Sequence, residues 1–247
     1  MWTASSPNSC RSPPASALNI SVCPLTEAAG RFTVILYNPL GRRVSWPIGL
    51  PVTGASCAVP APQGQPVPSE VVPVSNFTRR LREGGGSAVW ELLFQASAPP
   101  LGFSTFTVLS RGDPRAHPAR TPVLSQPREI QNEHLRVLFD PLTGHLKEIQ
   151  NLDKSILLPV FQNFYWYNAS VGNDESPQAS GAYIFRPNSS EPIPVSSSKR
   201  VSTHLVKNAL VQEVHQNFSS WCSQVVRLHA GQPYVELEWT VGPIPVA

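Results

Sequence analysis

The residue types that most often carry catalysis are thinly spread along this chain. Asp174 and Glu175 are its adjacent carboxylates, in a polar stretch between Gly172 and Pro177. Acid–base catalysis needs carboxylates directed from separate elements at one bond, so this pair is interpreted as a polar loop. A hydrolase that uses Asp174 or Glu175 is the least favoured hypothesis. The histidines occur singly, without the short local spacing typical of zinc ligands: His117, His134, His145, His204, His215 and His229.

Catalytic motifs are also missing from the sequence. It contains no Gly-x-Ser-x-Gly elbow, no His-Glu-x-x-His pair and no glycine-rich phosphate loop. We therefore predict that this chain has no complete catalytic set of its own.

Aromatic residues are concentrated between Phe161 and Tyr167 and again at Tyr183 and Phe185. Aromatic side chains at alternating positions usually pack into a sandwich core, and that interpretation is favoured here. Tyrosine and tryptophan can also present a ring face to a sugar, with the hydroxyl or indole N–H as a hydrogen-bonding group. The second possibility stays open.

Glycosylation sequons and cysteines indicate an oxidising compartment. Cys10 and Cys23 flank a short polar loop, a spacing that allows a local disulfide. Cys57 and Cys222 are far apart in sequence, and their pairing is left open. The Asn-x-Ser/Thr sequons exceed what chance would supply and suggest a secreted or lysosomal chain; they occur at Asn19, Asn76, Asn168, Asn188 and Asn217.

The first residues do not resemble an export signal. Met1–Ser5 has no charged region followed by an apolar stretch, so it is no signal peptide. The combination of sequons and no export signal leads us to expect a fragment of a longer protein.

Composition favours short strands over helices. The 247 residues include 27 prolines, and only 14% of the chain is charged while 41% is hydrophobic. Proline breaks helix interiors and central strands, which excludes a helical bundle or a long coiled coil. No apolar run approaches the length of a membrane span. The basic run Arg79, Arg80 and Arg82 is interpreted as a solvated loop, and no nucleic-acid partner is expected.

Alternating apolar and polar residues divide the chain into four parts. Residues 1–30 are expected to be a flexible N-terminal segment with the Cys10–Cys23 bridge, and 31–110 a small β-sandwich. Four prolines and four arginines make 111–128 an inter-module linker. Residues 129–247 alternate more regularly and indicate antiparallel β structure, in which Leu210–His215, Ser223–His229 and Tyr234–Val241 are expected to form a meander.

Several runs, taken in order, resemble the lysosomal α-mannosidases of glycoside hydrolase family 38. The resemblance extends from about residue 18 to the end. The runs are Leu18–Pro24, Tyr37–Gly41, Pro100–Thr105, Asn132–Gly144, Trp166–Ser170, Ser180–Asn188, Val211–Ser219 and Val235–Val246.

The resemblance implies an all-β fold. The expected architecture is a small antiparallel β-sandwich followed by the truncated first part of a larger, mutarotase-like super-sandwich. In that family an N-terminal α/β barrel holds zinc, an aspartate nucleophile and an acid/base carboxylate, followed by a helical bundle. No position of this chain matches those motifs, so the chain alone is expected to be inactive and to bind no zinc.

The resemblance also implies a function for the complete enzyme. That function is hydrolysis of terminal α-mannosyl residues of N-glycan oligosaccharides in the lysosome. The implied partners are oligomannose N-glycans and the remaining domains of the same enzyme. Because the Ser-Gly-Ala-Tyr segment resembles a stretch that reaches the active-site mouth, Tyr183 is the candidate substrate contact. The alternative is a stand-alone carbohydrate-binding or adhesion module with Trp166, Tyr167 and Tyr183 as a sugar platform.

Overall fold

The computed structural model describes residues 22–60, 66–82, 86–110 and 129–245. By the density of its contacts the chain divides into two compact units. Unit 1 comprises Met1–Leu124 with Val206–Gln212, and unit 2 comprises Ser125–Leu205 with Glu213–Ala247. The predicted boundaries at 30, 110 and 128 stay predictions, and the linker 111–128 lies outside the described residues.

The elements described between residues 22 and 110 are two short helices and seven strands. In chain order they are α1 (Pro24–Ala28), β1 (Arg31–Asn38), β2 (Val44–Val52), β3 (Cys57–Pro60), β4 (Pro66–Val67), β5 (Ser69–Pro73), α2 (Asn76–Leu81), β6 (Trp90–Ala98) and β7 (Gly102–Ser110).

These strands form two antiparallel sheets that share one core. One sheet has the order β1-β7-β3-β4 and the other β2-β6-β5. Both sheets contribute inward-facing residues to one cluster, which defines a small sandwich. The buried members are Phe32, Val34, Ile48, Val52, Val59, Leu92, Phe94, Ala96, Phe106 and Val108.

Helix α1 is anchored, although the sequence predicts flexibility throughout 1–30. The Thr26 hydroxyl donates to the carbonyl oxygen of Pro51 at 2.6 Å. The Thr53 hydroxyl in turn donates to the carbonyl oxygen of Glu27 at 2.8 Å. Side-chain bonds to the distant β2 region therefore hold Pro24–Ala28 in place. Flexibility of the segment 1–30 stays a prediction, and residues 1–21 lie outside the described part.

Helix α2 replaces part of the predicted solvated loop. Ser75 caps the helix by accepting a bond from the Thr78 amide at 3.1 Å, and Phe77 is buried beneath it. Arg82, just beyond the helix, is only 6% exposed, and its Nη1 donates to the carbonyl oxygen of Ala88 at 3.2 Å. Arg79 and Arg80 are exposed as predicted, whereas the prediction for Arg82 is wrong.

The elements described between residues 129 and 245 are all strands. They are β8 (Glu129–Gln131), β9 (Leu135–Phe139), β10 (Leu146–Asn151), β11 (Ile156–Pro159), β12 (Tyr165–Trp166), β13 (Ile193–Pro194), β14 (Ser202–Lys207), β15 (Val211–Ser219), β16 (Cys222–His229) and β17 (Glu236–Val241).

Two four-stranded sheets with the orders β11-β10-β9-β8 and β14-β15-β16-β17 share the main core of unit 2, and β12 and β13 form a small separate pair. Alternation along β9 buries Leu135, Val137 and Phe139 while the residues between them stay partly exposed. The buried cluster consists of Ile130, Leu135, Val137, Phe139, Leu146, Val214, Val226 and Leu228. The predicted all-β fold is confirmed.

One corner of unit 2 is closed by the side chain of Asn132. Its amide nitrogen donates to the carbonyl oxygens of His229 and Gln232, both at 2.8 Å. Its amide oxygen accepts from the backbone amides of His134 and Leu135. One asparagine therefore joins the β8–β9 turn to the β16–β17 turn.

A glutamine pair, of which Gln216 is buried and Gln162 partly exposed, supports the turn between β9 and β10. The amide groups of Gln162 and Gln216 bond reciprocally, with both N···O distances 2.9 Å. Gln216 also donates to the carbonyl oxygen of Gly144 at 2.7 Å. Gly144 adopts a φ of +75°, and an added Cβ would lie 2.5 Å from the carbonyl oxygen of Val201, so only glycine fits.

Candidate functional site

Tyr183 lies at the tip of a tight turn and is fully exposed. The Gly181 amide donates to the carbonyl oxygen of Ile184 at 2.9 Å, which closes the turn. The Ser180 hydroxyl accepts from the Arg186 amide at 3.2 Å. The phenol therefore points away from the fold with both ring faces accessible. Its proposed contact with substrate stays a prediction.

Arg186 organises the loop that precedes this turn. Its guanidinium donates to the carbonyl oxygen of Ser176 at 3.3 Å, to the Ser176 hydroxyl at 2.6 Å, and to the carbonyl oxygen of Gln178. Sequence reasoning did not single out this residue. Its position in Arg186-Pro187 gives no hint of the loop, because the loop carbonyls lie up to ten residues away.

The aromatic segment is mostly exposed, so the prediction that it packs into the core is wrong. Phe161 is fully exposed, and Tyr165, Trp166 and Tyr167 are between 39% and 56% exposed. Only Phe164 packs inward, edge-on against Phe218 at 4.7 Å between ring centres. Within the described ranges, β12 is two residues long and pairs with β13 in a two-stranded sheet.

A second aromatic contact lies within the exposed group. Tyr167 and Phe185 meet edge-to-face with ring centres 5.2 Å apart. Trp166, Tyr167 and Tyr183 are all solvent-accessible, so a sugar could reach each ring. Their accessibility does not by itself distinguish a substrate rim from a stand-alone sugar platform.

The acidic pair Asp174–Glu175 lies in an exposed bend. The neighbouring Asn173 closes this bend by accepting from the Ser176 amide at 2.7 Å. The interpretation as a polar loop accounts for this geometry, since both carboxylates are exposed.

A charged network on β15, β16 and β17 is the main cluster of ionised groups in the described part of unit 2. The Glu213 carboxylate accepts from Arg227 Nε at 2.5 Å and contacts His215 Nε2 at 2.8 Å. Arg227 Nη1 also pairs with Glu236 and Glu238. Sequence reasoning treated His215 as a single histidine and missed this network, whose members alternate on neighbouring strands.

Burial and pairing act in opposite directions on Glu213. Burial by itself raises the pKa of this carboxyl, but Arg227 and His215 outweigh burial and lower the pKa to about 2. The group is therefore ionised and fully engaged at neutral and mildly acidic pH. Such a carboxylate holds the strands together and has no proton to give as a general acid.

The described residues do not fit a zinc site. Within those ranges no three His, Cys, Asp or Glu side chains converge on one point. His204 and His215 form a ring contact at 5.9 Å between centres, and burial lowers the pKa of His204.

The sequon asparagines in the described ranges are all exposed: Asn76, Asn168, Asn188 and Asn217. Asn19 lies outside them. Cys23 is disulfide-bonded, while its predicted partner Cys10 lies outside the described residues, so the Cys10–Cys23 pairing stays a prediction. Cys57 and Cys222 are free thiols, and burial raises the pKa of Cys222 to about 11.

Neither described helix could cross a membrane, being five and six residues long.

Comparison with known proteins identifies the parts of this chain. Residues 130–243 match the family model of the glycosyl hydrolases family 38 C-terminal domain. Residues 67–108 match that of the lysosomal alpha-mannosidase-like central domain. Residues 67–108 lie in unit 1, and residues 130–243 lie in unit 2 apart from Val206–Gln212.

Individual relatives agree with these matches. Lysosomal alpha-mannosidase of Homo sapiens is 54% identical over 235 residues, which cover 93% of this chain and 22% of the human protein. Alpha-mannosidase of Canavalia ensiformis is 37% identical over 245 residues, covering 92% and 25%. A solved family 38 protein from Enterococcus faecalis aligns with a TM-score of 0.44 at 14% identity, covering 86% of this chain and 31% of that one.

The chain is a homologue of the family 38 lysosomal alpha-mannosidases, and its residues 67–108 and 130–243 match their central and C-terminal domains. It spans about a quarter or less of the length of the curated relatives named above.

Proposed function

We propose that this chain is a non-catalytic β-domain part of a lysosomal α-mannosidase. The complete enzyme would hydrolyse terminal α-mannosyl residues of N-glycan oligosaccharides. The observation that carries the proposal is the 54% identity to a lysosomal alpha-mannosidase across 93% of this chain. Localisation to the lysosome, through the secretory pathway, is part of the proposal and is supported by the name of that relative and by the exposed sequons.

We assign zinc and the catalytic carboxylates of the complete enzyme to residues outside this chain. The lack of a converging ligand group among the described residues supports this assignment, as does the engagement of Glu213 in ion pairs. The role of this chain is then to support the catalytic part and to contribute to the substrate rim.

The exposed side of β17 supports an interaction with the remaining domains of the enzyme. Leu237, Trp239 and Val241 pair with Val226, Gln224 and Cys222, which are all buried. Cross-strand partners share one face of a sheet, so the buried face of β16 continues onto an edge strand whose apolar side chains are 39–64% exposed. Another part of the enzyme would cover this apolar surface.

Tyr183 is the proposed substrate contact. Its full exposure on a turn held by Ser180 and Arg186 supports the assignment. Stacking on a sugar ring would be worth about 0.5–1.5 kcal/mol, by analogy with aromatic pairs.

One set of assays tests both parts of the proposal. The purified chain with added zinc at acidic pH is expected to show no α-mannosidase turnover above a no-protein control. In the complete enzyme, Tyr183→Ala is expected to raise KM roughly two- to tenfold. The matched control is Phe161→Ala, since Phe161 is equally exposed.

Two results would contradict the proposal separately. Turnover by the chain alone would overturn its non-catalytic role. A KM for Tyr183→Ala equal to that of Phe161→Ala would remove Tyr183 from the substrate rim and leave the rest intact.

A further inference from the structure

Asn168 and Asn188 are sequon asparagines that lie directly opposite each other on paired segments. The Asn188 amide donates to the carbonyl oxygen of Asn168 at 3.0 Å. The adjoining residues Ala169 and Pro187 form an antiparallel bridge. Both asparagines are exposed, and each begins an Asn-x-Ser triplet.

The pairing places both side chains on one side of the ribbon. Adjacent residues of paired segments project to opposite sides, and directly opposed Cβ atoms lie about 5 Å apart. The first sugar of an N-linked glycan, a pyranose ring with an acetamido group, is about as wide as that separation. Two glycans on this pair would therefore compete for the same space.

We propose that Asn168 and Asn188 form a paired glycosylation site that carries a single glycan, with Asn168 preferred. The inference rests on the proposed passage through the secretory pathway. The donor is a polyprenyl-pyrophosphate-linked oligosaccharide. The asparagine amide nitrogen bonds to the anomeric carbon of the first sugar, the bond from that carbon to the pyrophosphate oxygen breaks, the pyrophosphate leaves with the electron pair, and the amide loses one proton.

The preference for Asn168 follows from the order of synthesis. Twenty residues separate the two asparagines, which at 5–20 residues per second takes about 1–4 s. A hairpin forms within about 1–10 μs. Asn168 is thus available alone for seconds, whereas Asn188 appears when its segment can already pair with the Asn168 segment.

Occupancy of both sequons by glycans can be measured directly on a single tryptic peptide. Trypsin cleaves after Lys154 and Lys199 but not at the Arg186-Pro187 bond, so one peptide, 155–199, carries both sequons. The full chain is directed into the secretory pathway of a mammalian host. The peptide is then deglycosylated in heavy-oxygen water, which converts each occupied asparagine into a labelled aspartate that mass spectrometry counts and locates.

The expected result is one label per peptide, on Asn168, with the doubly labelled peptide absent. Asn168→Gln is expected to move the label to Asn188. Ser190→Ala, which removes the second sequon but keeps Asn188, should leave Asn168 occupancy unchanged. Asn217→Gln removes an exposed sequon outside the pair and should leave the distribution on the pair as in the wild type.

Each other outcome has a defined meaning. A doubly labelled fraction equal to the product of the two single-site occupancies overturns the paired site. Labels at Asn76 or Asn217 with none on the pair overturn it as well. No label at any sequon overturns both the pairing and the proposed compartment.

Discussion

The ionised carboxylate of Glu213 contributes to the stability of unit 2. It is buried and held between Arg227 and His215. Removing one partner of a buried ion pair leaves an uncompensated charge and is strongly destabilising. This carboxylate therefore couples the stability of the β14–β17 sheet to acidity.

The first prediction is a specific loss of stability in strong acid. Because the folded pKa of Glu213 is about 2 and its ordinary value is 4.5, its contribution is fully present above about pH 4.5 and is lost as pH falls towards 2. The total is on the order of 3 kcal/mol. Urea unfolding between pH 6 and pH 2 measures most of this loss, and a mildly acidic compartment leaves the network intact.

Two variants identify the group responsible. Glu213→Gln should lower stability at pH 6 and flatten the acid dependence, whereas Glu175→Gln, in an exposed loop, should leave the wild-type profile. A profile equally steep with and without Glu213 would assign the acid sensitivity to another group.

At the scale of elements, strands were easier to predict than helices and loops. The more regular alternation after residue 129 predicts β structure, and β9 buries every second residue from Leu135 to Phe139, because a half-buried strand repeats every two residues. The helices α1 and α2 are too short for a helical period to appear. Contacts such as Thr26 to Pro51, 25 residues apart, hold α1 in place and leave no local signal.

The aromatic segment shows a different limit of sequence reasoning. Alternation indicates which side chains share a face but not whether that face is covered. Tyr165 and Trp166 are exposed, whereas the neighbouring Phe164 packs inward. Arg186 orders the adjoining loop through carbonyls that no side-chain pattern encodes. The choice of Tyr183 as the candidate substrate contact rests on family resemblance and not on periodicity.

The second prediction concerns the turn at Gly144. Gly144→Ala should destabilise unit 2 by about 2–5 kcal/mol, since a left-handed φ costs about 1–2 kcal/mol and overpacking adds about 1–3 kcal/mol. The added Cβ would meet the carbonyl oxygen of Val201 at 2.5 Å. The shift in urea midpoint, with its slope, gives the value.

Comparison with two other glycines separates the cost of the left-handed backbone at Gly144 from the cost of its collision with Val201. Gly231 also has a positive φ, +69°, but nothing lies within 4 Å of an added Cβ, so Gly231→Ala should cost only about 1–2 kcal/mol. Gly181→Ala has open space and should change stability by less than about 0.5 kcal/mol. Equal losses at Gly144 and Gly231 would contradict a steric role for Val201.

At the scale of the whole molecule, the edge strands with exposed apolar side chains bear on association with other chains. Ile156, Leu157 and Leu158 on β11 are all more than half exposed, as is Trp239 on β17. In the described sheets both strands are edges. An exposed apolar edge strand is a site for pairing with another chain.

The third prediction is self-association of the isolated chain through β17. Trp239→Ser should increase the monomer fraction in sedimentation velocity, because it removes a large apolar side chain from the uncovered face. Phe103→Ser is the matched control, since Phe103 is 67% exposed against 64% for Trp239. A wild-type chain that stays monomeric, or two variants that behave alike, would contradict this role of β17.

The Asn132 corner has a consequence for the timing of maturation. Its partners His229 and Gln232 follow it by 97 and 100 residues, so at 5–20 residues per second the ribosome needs about 5–20 s to supply them. Until then the side-chain amide nitrogen of Asn132 lacks these two bonds, and the β8–β9 turn is not yet joined to the β16–β17 turn. The nascent chain is most exposed to chaperones and to misassembly during that interval, and a ribosome pause within it would prolong the risk.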